Sequence, residues 1–154
     1  LFIIQIYEMY IHSSKEKYLM QGKSCLTLKN YIVKTMNFSI NEDFQFNQDE
    51  NINVNPEFKR QIRKVDDDTA VVNLKFCINN EKKDMPFSME VDIEGLFHLE
   101  NWEQPEQLPM ITLNAIAILF PYLRSIISMV TANANISPYV LPVMNISALF
   151  TDKD

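Results

Sequence analysis

His98 has Glu100 two residues after it and Glu94 four residues before it. A histidine flanked by carboxylates is raw material for acid–base chemistry or a metal site. Neither His12 nor His98 lies in a ligand-spaced motif, so His98 reads as an edge histidine at the end of a strand. Asp66, Asp67 and Asp68 offer three carboxylates in a row. Calcium loops alternate their ligands around a glycine, which this run lacks, so it reads as a solvated turn. Cys25 and Cys77 are far apart and fit no metal or disulfide-rich spacing, so they read as reduced thiols of a cytoplasmic protein. Ser13, Ser14 and Ser125 have no activating base in view. No catalytic residue, metal site or cofactor is expected, and the chain does not read as an enzyme.

What must position these side chains is a single domain. At 154 residues the chain can bury a real core, and 47% hydrophobic with 22% charged residues is ordinary for a globular protein. Only two glycines are present, which disfavours glycine-rich phosphate loops and dinucleotide folds. A net charge of −6 argues against nucleic acid as a partner, because phosphate contacts need clustered Lys and Arg. The one basic cluster, Lys59, Arg60, Arg63 and Lys64, is followed at once by Asp66–Asp68 and reads as a solvated face. Residues 1–23 form an extension of mixed character. Its first apolar residues are interrupted by Glu8 and have no basic region before them, so no signal peptide is expected.

Leu26–Ile40 has strand composition, with alternation that slips near Tyr31–Val33 and so predicts a bulge or bend. Asn41–Asn55 reads as a long polar loop with apolar anchors, Phe44 and Phe46 among them. Three further alternating runs follow, Glu57–Val65, Thr69–Ile78 and Pro86–Leu99, separated by polar turns. The four strands predict an antiparallel meander, with a bulge at Gly95. A long helix then begins near Met110 and is kinked or restarted at Pro121. Asn145 is placed to cap a last short helix through Phe150. The fold class is therefore α+β, a four-stranded antiparallel sheet covered by a long kinked C-terminal helix.

From Gln107 to Thr151 the chain carries a single charge, Arg124. The stretch Ile111–Val130 is long enough to cross a bilayer. Arg124 would cost roughly 2.5–3.5 kcal/mol there, and Asn114, Pro121 and two serines weaken the reading further. After Pro121 the apolar positions are Tyr122, Leu123, Ile126, Ile127, Met129 and Val130, leaving Arg124, Ser125, Ser128 and Thr131 as a narrow polar stripe. A helix covering one sheet needs one apolar face. This one predicts a second surface, and another subunit is the expected occupant. Tyr122, Ile126 and Met129 form one side and Leu123, Ile127 and Val130 the other, one set for the sheet and one for the neighbour.

Ile118-Leu-Phe-Pro-Tyr-Leu-Arg124, Ser128-Met-Val130, Leu141-Pro-Val143 and Ala148-Leu-Phe150 resemble the C-terminal half of SecB, the bacterial export chaperone. Leu26–Glu100 resembles it more loosely, which makes residues 24–154 a SecB-like domain. The resemblance implies a nucleotide-independent holdase for unfolded proteins or preproteins, a homotetramer built as a dimer of dimers, and no enzymatic activity. It implies client-binding grooves between sheet and helix. The residues expected there are Phe44, Phe46, Trp102, Tyr139, Leu141 and Val143, with Leu119 and Phe120 beneath. It also implies an acidic face that docks the SecA motor. Glu90 matches that face, but the first strand carries Thr35 and Ser39 at its acidic positions. The chain stops at Asp154, so the family's long final helix and tail are expected to be absent or a stub. Docking to SecA is therefore expected to be weak. Two alternatives stay open: a dedicated chaperone of a toxin–antitoxin system, with an antitoxin as client, and a small-ligand-binding α+β domain.

Overall fold

A computed structural model of the chain describes residues 26–45, 54–79, 85–100 and 108–150. The N-terminal extension, Cys25, Phe46 and Trp102 lie outside these residues. Four strands, β1 (Leu26–Ile40), β2 (Glu57–Lys64), β3 (Thr69–Ile78) and β4 (Phe87–Leu99), precede a 26-residue helix, α1 (Leu108–Asn133), and a 3-10 turn at Ala148–Phe150. On β3 and β4 buried and half-exposed residues alternate without a break apart from exposed Leu96, so one face of the sheet is a core face and the other meets solvent.

The strand order is β1-β4-β3-β2, with every neighbouring pair antiparallel. The sheet is therefore not a simple meander. Strands β2, β3 and β4 are joined in succession, and β1 lies beside β4, the arrangement of a Greek key. The chain from β1 to β2 must cross three strand spacings, about 14 Å, and the stretch between Ile40 and Glu57 has residues enough for that distance.

The predicted irregularity in β1 is there, as two register shifts that flank the expected slip, between Leu28 and Asn30 and between Val33 and Thr35. The extra residues are Lys29 and Lys34, and Lys34 Nζ reaches Glu94 at 3.2 Å. Gly95 is not at a bulge of its own strand: it pairs in register with Tyr31 on one side and Val72 on the other. Its reason is close approach. A Cβ placed there would lie 2.8 Å from Leu119 Cδ2 and 2.8 Å from Phe97 Cε2, so the glycine is the seat on which α1 rests.

Helix α1 starts two residues earlier than Met110 and runs unbroken through Pro121. Pro121 leaves the Ala117 carbonyl without its helical donor. Both residues are exposed, so water can take that carbonyl and the helix need not stop. Ile111, Ala115, Ile116, Leu119, Leu123 and Ile127 are buried against the inner sheet face with Val72, Leu74, Phe76, Val91, Ile93 and Phe97. The helix is apolar and long enough to cross a membrane by length and composition, and here the sheet occupies its apolar face. Two buried threonines, Thr112 and Thr131, each bond back to a carbonyl four residues earlier, at 2.7 and 3.0 Å.

Candidate client-binding surface and outer sheet face

With about 100° of rotation per residue, α1 divides into three strips. The strip centred on Leu123 lies on the sheet. One flank carries Tyr122 and Met129, which are 39% and 52% exposed. Tyr122 leans toward β1, its ring 4.5 Å from that of Tyr31. Beside this contact β1 leaves Val33, Met36 and Ile40 exposed, although they point to the same side as the core residues. Among the described residues β1 is an edge strand, and it forms one margin of the sheet together with this apolar helix flank.

The face expected to meet a neighbour is divided accordingly. Leu123 and Ile127 are fully buried within the chain. Ile126, expected beside Tyr122 and Met129, is buried too: it lies about 60° from the Leu123 strip, whereas Tyr122 and Met129 lie about 100° and 120° away from that strip. Val130 is half-buried. Of the six residues, Tyr122 and Met129 are the ones left exposed.

The opposite flank carries Arg124, Ser128 and Thr131. The chain leaves α1 through Asn135, whose φ is 59°, a left-handed cap residue. It then runs back along this flank as an extended strap. Tyr139 N–H donates to Thr131 Oγ1 at 2.9 Å, Ser128 Oγ donates to the Tyr139 carbonyl at 3.1 Å, and Arg124 donates to the Pro142 carbonyl at 2.9 Å. Polar residues at i, i+4 and i+7 on an otherwise apolar helix, followed by a proline-punctuated apolar segment, were the legible signal.

The candidate client residues separate by depth. Leu119 and Phe120 are buried, and Phe120 stacks 6.0 Å from Phe58 and 5.5 Å from the Arg124 guanidinium. Leu141 is a core residue. Tyr139 is half-buried, with its ring 6.5 Å from Phe76 and 6.2 Å from Phe87, and burial pushes its phenol above the usual tyrosine range. Val143 and its neighbour Val140 stand out at 92% and 61% exposed. Phe44 is half-buried at the start of the loop after β1.

On the outer sheet face the structure brings Thr35, Ser39 and Glu90 together. Thr35 pairs with Asp92, Asn37 with Glu90 and Ser39 with Ser88. Each outward carboxylate of β4 already has a partner: Glu90 meets Lys75 at 3.0 Å, Asp92 accepts from Asn73, and Glu94 meets Lys34. The bond that Lys75 donates to Glu90 holds its ammonium above the usual range. Cys77 lies in the same region, its thiol pushed up by burial, in an open cavity of about 390 Å³ lined also by Asn37, Ser39, Ser88 and Glu90.

The residues that could do chemistry stay apart. Among the described residues no three His, Cys, Asp or Glu side chains come together as a metal group. Asp66 and Asp67 act in the β2–β3 turn, Asp66 accepting from Asp68 N–H at 2.9 Å and Asp67 from Lys64 at 3.1 Å. The basic cluster is split, since Arg60 lies over the Phe150 ring at 4.7 Å while Lys59 and Arg63 are exposed on the outer face.

The profile of the family described as preprotein translocase subunit SecB matches residues 20–154. The chain belongs to the SecB family. Among SecB proteins, the protein-export protein SecB of Saccharophagus degradans is 33% identical over 101 residues, 64% of this chain and 60% of that protein. That of Bartonella quintana is 29% identical over 65% of this chain and 59% of its own length. The chain thus spans about three fifths of these SecB relatives. An archaeal relative, uncharacterized protein MJ0357 of Methanocaldococcus jannaschii, is 32% identical over 84% of this chain and 85% of that protein. The fold is also that of the Mycobacterium tuberculosis SecB-like chaperone Rv1957, solved with a ChAD peptide from the HigA1 antitoxin. The TM-score is 0.62 at 14% identity, covering 77% of this chain and 90% of that one.

Proposed function

We propose that this SecB-family chain is a cytoplasmic chaperone that holds unfolded proteins or preproteins without nucleotide, working as a tetramer of two dimers. The observation that carries this reading is the placement of exposed apolar side chains. Val33, Met36, Ile40, Tyr122 and Met129 lie along one margin, and Val140 and Val143 lie on the strap at the other flank of α1. Apolar patches of this kind mark interaction sites. The first margin suits a second copy, since an open strand edge and an apolar helix flank can both be covered by one neighbour. The second, the flank along which Tyr139, Leu141 and Val143 run, suits clients, with Leu119 and Phe120 as deeper candidates and Phe44, Phe46 and Trp102 as further ones. Binding driven by buried apolar area needs no catalytic group and no cofactor. The test is aggregation of an unrelated denatured protein with and without this chain in nucleotide-free buffer. Suppression at near-equimolar tetramer is expected, and undiminished aggregation would defeat the reading.

A second reading within the same fold is a dedicated chaperone of an antitoxin, by analogy with the mycobacterial SecB-like chaperone and its bound antitoxin peptide. It is favoured by the outer face, where Lys75, Asn73 and Lys34 satisfy Glu90, Asp92 and Glu94. Carboxylates already paired have little left for a basic partner, and Thr35 and Ser39 add no charge. Binding to SecA is therefore expected to be tenfold or more weaker than micromolar in calorimetry. Submicromolar binding would mean that the outer face docks the motor despite its internal pairing. The small-ligand reading needs a closed pocket between sheet and helix. The cavity beside Cys77 opens instead on the outer face.

A further inference from the structure

The strap is held in the manner of a bound peptide. Between Tyr139 and Pro142 its backbone is engaged by three side chains of α1, Thr131, Ser128 and Arg124, at 2.9, 3.1 and 2.9 Å. Such contacts read main chain and are indifferent to sequence. The side chains alternate as in a strand: Tyr139 turns in, Val140 turns out, and Leu141 turns in to 1% exposure. Pro138 and Pro142 lack an N–H, so this segment cannot be absorbed into a regular ladder.

The seat of Tyr139 is also general in character. Its ring rests between Phe87 of β4 and Phe76 of β3. Phe38 of β1 packs on Phe87 at 5.5 Å and Phe58 of β2 on Phe76 at 5.6 Å. Each strand thus contributes one phenylalanine to a row, and Tyr139 sits over its middle. Tilted and edge contacts of this kind accept any planar ring. The Arg124 side chain retains a spare donor, since its buried Nε has no hydrogen-bond partner.

We propose that residues 139–142 are a built-in stand-in for a client. In the resting chain the strap fills part of the client groove. An unfolded segment in extended conformation, with an aromatic residue and an aliphatic one two positions later, displaces it and takes its seat on the phenylalanine row, without the latch to α1. This rests on the holding function proposed above and names its substrate class. Arg124, Ser128 and Thr131 are then positioning residues that set the strength of self-occupancy. Weakening the latch raises the fraction of chains with an open groove, and apparent affinity rises by the same factor.

The probe is a carboxymethylated, permanently unfolded protein titrated into the full chain. Ser128→Ala/Thr131→Val is expected to bind it about three- to tenfold more tightly than wild type, as two modest hydrogen bonds are lost from the closed state. In wild type, the amides of Tyr139, Val140 and Leu141 are expected to exchange with deuterium faster when the probe is bound. A merely structural strap would give the opposite pair of results, equal or weaker binding by the variant and unchanged or slower exchange. If the double variant does not fold, Ser128→Ala alone carries the test, with a two- to threefold gain expected. Wild-type binding without a gain in the variant overturns only the stand-in. Absence of binding by both overturns the stand-in and the holding function together.

Discussion

Truncating Leu119 to Ala is expected to lower stability by about 2–5 kcal/mol, the range for removing a fully buried leucine. The residue has no exposed surface, and its two methyl groups are the ones that lie over Gly95. The effect should be coupled to that glycine. Alone, Gly95→Ala puts a Cβ 2.8 Å from Leu119 Cδ2 and 2.8 Å from Phe97 Cε2, an overpacking that costs about 1–3 kcal/mol. In the Leu119→Ala background one of those two clashes is gone. Gly95→Ala should then cost less by about 0.5 kcal/mol or more, a coupling that urea melts of the four proteins measure directly. Strict additivity would mean that the helix does not rest on Gly95.

The second large effect concerns assembly. In light scattering at micromolar concentration the protein is expected to have the mass of four 18.0 kDa chains. Tyr122→Asp/Met129→Asp is expected to weaken assembly by about a hundredfold or more, because each carboxylate must be desolvated or leave the interface open. Thermal unfolding of the dissociated variant should remain cooperative, since neither side chain contributes to the core strip. A wild-type monomer at that concentration would show that this margin serves something other than a second copy. The same substitutions at Leu123 and Ile127 would unfold the chain and say nothing of assembly.

How far the residues alone foretell the molecule depends on the range of the interaction. Strand extents follow from composition and period-two alternation: β3 begins and ends where the alternation does, and β1 where its strand composition does. Strand order does not follow, because alternation says which face a residue takes and not which strand lies beside it. Hence β1 pairs with β4 rather than extending a meander from β2. Gly95 shows the same limit. A glycine within a strand signals either a bulge or a close approach, and the neighbour that decides, Leu119, is far along the chain. The bulges fall instead at Lys29 and Lys34 in the edge strand, where a charged extra residue can turn to water. On α1 the width of the apolar face was legible, but its division was not. Ile126 is buried and Met129 exposed because the sheet lies nearer the Leu123 side. The polar stripe was visible as a pattern, while its partner, the strap, is set by the reversal at Asn135.

The most direct test of the holding function is an anisotropy titration of one labelled protein in two states, native and permanently unfolded, against this chain in nucleotide-free buffer. Saturable binding of the unfolded state at low micromolar concentration or below, with no binding of the native state, is the expected result. Failure to bind the unfolded state, or equal binding of both, would contradict it.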